Sequence, residues 1–122
     1  MARRLDDALV DQALRAVLAA LDTGRTPERA ELQLAVRGLA GRLAERAPGR
    51  SVEVRIPPHA AVQCVAGPRH TRGTPPNVIE AEPLAFLELC IGRLAWADAV
   101  GDGRVRASGE RADLSDLLPL RP

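Results

Sequence analysis

The sequence predicts an α+β domain in which helices cover one face of a four- to five-stranded mixed or antiparallel sheet. Three observations carry this reading: apolar residues recur at helical spacing up to Pro48, the period drops to two at Ser51, and short mixed elements follow from Val78. With 122 residues and 46% apolar content the chain suffices for one core. Residues 1–122 therefore read as a single domain, a helical hairpin over 1–48 followed by the sheet and its helices over 51–118.

In the first helix Leu5, Leu9, Leu14, Val17, Leu18 and Leu21 form an apolar stripe, Asp7, Asp11, Arg15 and Asp22 fall mainly on other faces, and Gly24 ends the element. Thr26 as N-cap, Pro27 at the first helical position and Glu28 in the first turn start a second helix. Its stripe is Leu32, Ala35, Val36, Leu39 and Leu43, and it stops at Pro48-Gly49, so the two make an antiparallel hairpin. Val52, Val54 and Ile56 then alternate with Glu53 and Arg55 in a half-buried strand closed by Pro57-Pro58, and Ala60–Val65 returns as its partner.

Gly67–Asn77 holds three prolines, two glycines, Arg69, His70 and Arg72 without one large apolar residue, and must be a loop. Val78–Ala81 makes a third strand. Pro83 opens a helix, Leu84–Ile91, with Leu84, Leu87 and Ile91 inward and Gly92 at its end. Trp96–Val100 adds a short helical stretch, the turn Gly101-Asp102-Gly103 feeds a strand Arg104–Ala107, and Ser108-Gly109 breaks it. Leu114, Leu117 and Leu118 suggest a terminal helix stopped by Pro119 and Pro122.

Composition excludes several functions. Seventeen basic residues, all arginine, against sixteen acidic ones leave a net charge of +1, so no global field draws the chain to nucleic acid or anionic lipid. Phe86 and Trp96 are the only aromatic residues, too few for base-stacking platforms. Cys64 and Cys90 form no CxxC pair and the start of the chain does not read as a secretory signal, which points to reduced thiols in the cytoplasm. No apolar run approaches the ~20 residues of a membrane helix. There is no P-loop, G-x-S-x-G, H-E-x-x-H or telling carboxylate pair, which disfavours a hydrolase, kinase or metallopeptidase.

The candidate residues each admit two readings. Arg69, His70 and Arg72 could meet a phosphate or carboxylate, although a solvated loop whose arginines pair with Glu80 or Glu82 is the plainer account of their spacing. His59, His70, Cys64 and Cys90 lack metal-ligand spacing, so buried structural thiols explain them better than a metal site. Trp96 suits an apolar tunnel or a plain core anchor, and the anchor is the simpler reading.

The stretch Leu87–Leu118, LELCIGRLAWADAVGDGRVRASGERADLSDLL, resembles the C-terminal signature of sterol-carrier-protein domains. Joined to SVEVRIPPHAAVQCVAGPRHTRGTPPNVIE at Ser51–Glu80, it is similar to the small bacterial sterol-carrier orthologue domain of high-GC actinobacteria, whose distinguishing mark is a GPRHTRGTPPNV-type loop. The resemblance implies helices over a twisted sheet with an apolar cavity between them. The four strands read here fall short of the five of full sterol carriers, which leaves less room for that cavity.

The function so implied is that of a non-catalytic carrier without a cofactor, holding a lipid, fatty acyl or sterol-like ligand. Val62, Cys64, Ile79, Leu87, Ile91, Leu94 and Trp96 would line the cavity, with Arg69, His70 and Arg72 as a polar rim. Two other readings stand beside it. One is an interaction or scaffold domain without a ligand, self-associating as a weak homodimer through its sheet edge or its helical hairpin. The other is an accessory module related to thiol-dependent maleylpyruvate isomerase-type enzymes, with His70 as general base and arginines on a substrate carboxylate.

Overall fold

A computed structural model describes residues 4–68 and 76–120. Helices α1 (Asp7–Asp22) and α2 (Arg29–Arg46) precede strands β1 (Val52–Ile56), β2 (Ala60–Cys64) and β3 (Val78–Ala81). Helices α3 (Pro83–Ile91) and α4 (Trp96–Gly101) and strand β4 (Val105–Ser108) follow. None of the described helices is long and apolar enough to cross a membrane.

The expected hairpin forms, and α2 buries its expected stripe, but α1 is rotated from its expected face. Asp6 caps α1, its carboxylate accepting from the Ala8 and Leu9 N–H groups at 2.8 and 3.2 Å. The residues α1 buries are Val10, Ala13, Val17 and Ala20, whereas Leu9 is 54% exposed and Leu5 37%. Small residues set this geometry. Gly38 of α2 faces Val10 so closely that a Cβ there would collide with it, and the line of close approach runs along valine and alanine instead of leucine. The start of α2 also differs from expectation: the chain stays extended through Glu28 (φ −68°, ψ 139°), which is the N-cap without a side-chain bond, so Thr26 and Pro27 lie in the connection.

The sheet is four-stranded and mixed, in the order β2-β1-β3-β4. β1 pairs antiparallel with β2 and parallel with β3, and β3 pairs antiparallel with β4. The registers place Val62, Val54 and Ile79 in one row across three strands. Val52, Val54, Ile56, Cys64, Ile79, Ala81 and Val105 are buried, as the period-two pattern requires for a face covered by helices. On the opposite face Arg55 pairs with Glu53 at 3.2 Å and Arg106 with Glu80 at 2.7 Å.

The central helix α3 buries more than one stripe: Ala85, Phe86, Leu87, Leu89 and Cys90 are inside, and Leu84 and Ile91, expected inward, are half-buried at its flanks. A helix apolar all round is enclosed on several sides. Here α2 packs on α3, and the C-terminal tail ties to its end through the Leu120 N–H donating to Cys90 O at 2.8 Å. Gly92 ends α3 in the left-handed region (φ 85°), which favours glycine. The expected terminal helix is instead a single turn, in which the Leu117 and Leu118 N–H groups both donate to Leu114 O. Pro119 cannot continue the pattern, and Leu114 alone of these leucines is fully buried.

Candidate functional site

Strand β2 is an edge of the sheet, and the helical hairpin overhangs it. Between them lies an open groove of about 610 Å³. Val10 of α1 and Leu5 just before it form one wall, Gly38, Gly41 and Arg37 of α2 a second, and His59 with Ala60, Ala61 and Val62 the sheet wall. The two glycines of α2 behave differently. Gly38 is in contact with Val10, but a Cβ at Gly41 would meet nothing within 4 Å. Glycine inside a helix is unfavourable by roughly 1 kcal/mol relative to alanine, and at Gly41 no close contact requires it. Its missing side chain keeps the groove wide.

Charge is distributed unevenly along the groove. At one end Arg4 pairs with Glu45 at 2.7 Å and Asp7 at 3.2 Å, and Arg42 pairs with Asp7 at 3.2 Å and Asp11 at 2.9 Å. Hydrogen bonds from Arg4 hold the Asp7 and Glu45 carboxyls below the usual carboxylate range. These ions neutralise one another. At the other end the Arg37 Nε donates to His59 O at 2.9 Å. With the Gln33 amide turned so that its oxygen faces Arg37, both terminal guanidinium nitrogens donate to it at 2.7 and 2.8 Å. Arg37 has no carboxylate partner among the described residues.

His59 sits in the turn between β1 and β2, its N–H donating to Ile56 O at 2.9 Å. The residue is 8% exposed, and its ring hydrogen-bonds to none of the described residues. Burial lowers its pKa below the ordinary 6.5, and Arg29 and Arg37 lower it further. A depressed folded-state pKa means that the neutral ring contributes stability above 6.5 that is lost as pH falls through the lower folded value. The urea midpoint is therefore expected to drop on acidification from about pH 7 to about pH 5.5, before most carboxylates titrate, and His59→Gln to flatten that drop. Identical pH profiles for variant and parent would contradict a buried neutral ring.

The residues expected to line a cavity are not gathered around one. Val62 lies in the groove. Cys64, Ile79 and Leu87 are fully buried members of the core. Ile91 borders a second opening beside Leu14, Leu39 and Leu120, and Leu94 and Trp96 border a third beside Leu118 and Pro119. Apolar side chains at strand and helix spacing serve a filled core as well as a cavity wall, and only the tertiary arrangement separates the two. Arg69, His70 and Arg72 lie outside the described residues. At the described end of their loop, Asn77 is buried, donating to Ser51 O at 3.0 Å and accepting from the Arg111 N–H at 2.9 Å. This anchor is at the opposite end of the β1–β2 ladder from His59.

Burial pushes the Cys64 thiol up to about 11 and the Cys90 thiol higher still, so neither is a thiolate near neutral pH. Among the described residues no three His, Cys, Asp or Glu side chains gather to hold a metal ion. In the sequence His59 stands out only as a metal or thiol candidate, and neither Arg37 nor Gly41 stands out on its own. The available signal was Gly38 and Gly41, two glycines inside one strongly periodic helix.

A comparison with the curated proteins gives no match. A family model described as the bacterial SCP ortholog matches residues 28–120, which takes in α2, every strand, α3 and α4, and leaves α1 outside. The four-stranded mixed sheet with helices on one face agrees with it. The chain carries a sterol-carrier-protein-like domain and belongs to the bacterial SCP ortholog family.

Proposed function

We propose that this chain is a non-catalytic, lipid-carrier-like protein, and that a small hydrophobic or acyl ligand lies in the groove between α1, α2 and β2. The observation that carries the reading is Gly41, a helical glycine with no close neighbour, which holds the groove open. Family membership supports the ligand class, and about 610 Å³ falls within the ordinary range of ligand pockets. Affinity would come from burying ligand hydrocarbon against Leu5, Val10 and Val62 at ~25 cal/mol per Å². The buried thiols of Cys64 and Cys90, held protonated near neutral pH, do not supply a cysteine nucleophile to the groove.

Titration with the uncharged dye Nile red tests this. The parent protein is expected to enhance its fluorescence saturably, and Gly41→Leu, which projects four carbons into the groove, to weaken binding by at least about tenfold with no loss of the folded state. Absence of binding by the parent, or equal binding by a folded Gly41→Leu, would reject the assignment.

A second reading, an interaction domain without a ligand, is supported by the open edge of β2, by exposed Leu9 on α1 and by exposed Leu5 just before it. It differs in its sedimentation behaviour: a mass that rises with concentration in the absence of hydrophobe, and falls in Leu9→Glu, would favour it.

A further inference from the structure

We propose that the Arg37–His59 end of the groove receives an anionic headgroup, so that its ligand is a carboxylate-bearing amphiphile whose chain runs past Gly41 and Val62 toward Leu5. This deepens the carrier reading and rests on it. The two ends of the groove are not equivalent. Arg4 and Arg42 are each bonded to two carboxylates, and an incoming anion would have to displace Glu45, Asp7 or Asp11. Arg37 faces no carboxylate among the described residues, and its guanidinium is held in place by His59 O and Gln33. Beside it stands His59, a residue 8% exposed that lines the groove, its ring bonded to none of those residues and its ring nitrogens open to solvent. A fixed arginine and an unpartnered imidazole next to an apolar channel suit a carboxylate with a hydrocarbon tail.

The arrangement couples binding to a proton. The charges nearest His59 are Arg29 and Arg37 of α2, which favour the neutral ring, and Ala60, Ala61 and Val62 add none. The remaining charges of the groove, Arg4, Asp7, Arg42 and Glu45, are paired among themselves or with Asp11. An anion seated against the ring reverses the local sign, raises its pKa and draws a proton onto it. Affinity for a carboxylate that stays ionised should therefore rise as pH falls from about 8 to about 6.

The experiment is calorimetric titration of the whole chain with decanoate and with decan-1-ol, below their aggregation limits, in two buffers of different ionisation heat. Decanoate is expected to bind at least about tenfold more tightly than the alcohol at about pH 6, with net proton uptake that the alcohol does not cause. Arg37→Gln should bring the ratio of acid to alcohol affinity in the variant close to one, and His59→Gln should erase the proton uptake. Equal affinity for acid and alcohol, or a preference unchanged in Arg37→Gln, would overturn the headgroup site while leaving the carrier reading in place. Binding of neither ligand would overturn both. A His59→Gln protein that does not fold leaves the Arg37→Gln comparison to decide.

Discussion

Phe86→Ala is expected to lower the free energy of unfolding by about 3–5 kcal/mol, a large share of the roughly 5–15 kcal/mol that holds a domain of this size together. The ring is 1% exposed on α3, the helix enclosed by α2 and the C-terminal tail, in a chain with no other phenylalanine and no tyrosine. It belongs to a core cluster made mostly of buried aliphatic side chains, in which the space it leaves is not refilled by rotation of a single residue. Urea denaturation should show a lower midpoint with an unchanged slope, and Phe86→Leu should recover much of the loss. A cost below about 1 kcal/mol would mean that α3 settles into the vacated space and that this part of the core is loosely filled.

Gly38→Ala and Gly41→Ala should shift stability in opposite directions, although both exchange the same residues three positions apart in α2. Alanine in place of glycine in a helix interior ordinarily gains about 0.5–1 kcal/mol through propensity and loss of unfolded-state freedom. Gly41→Ala should show that gain in full, because its Cβ enters open space. At Gly38 the Cβ meets the branched carbon of Val10 as well as its methyl groups, so α1 must move away from α2. Overpacking costs typically about 1–3 kcal/mol, which outweighs the helical gain and leaves a net loss. Thermal melts of the two variants beside the parent would decide. A stabilised Gly38→Ala would show that α1 is not seated on α2 as described, and the α1 wall of the groove would lose its footing.

Most of the element order was legible in the residues themselves. Val52, Val54 and Ile56 against Glu53 and Arg55 can satisfy only a strand with one buried face, and the structure buries those three. Leu32, Ala35, Val36, Leu39 and Leu43 form the apolar stripe of α2, four of them fully buried and Leu32 half-buried, because 3.6 residues per turn leaves no other common face. Gly92 stops α3 as expected, through a backbone conformation that other residues adopt at a cost. The C-terminal leucines misled because hydrophobic spacing shows which side is buried, not whether three residues suffice to propagate a helix.

The groove was hardly legible at all. Its walls come from residues 5–10, 37–41 and 59–62, and no local pattern states that these meet. Arg37 reads in sequence as one of many surface arginines, and among the groove's described arginines it stands apart because it meets His59 O and Gln33 but none of the described carboxylates.

Short-range periodicity and the chemistry of glycine and proline thus specify the fold class, the succession of strands along the chain and the buried faces of α2 and β1. Tertiary structure decided which face of α1 turns inward, that Cys64, Ile79 and Leu87 belong to a filled core, and that an open groove with one unneutralised end lies along β2. Those outcomes depend on how closely two helices approach and on which charges find partners across 35 or more residues of chain, as Arg42 finds Asp7 and Arg4 finds Glu45. Such distances are set by the assembled molecule and by no segment of it.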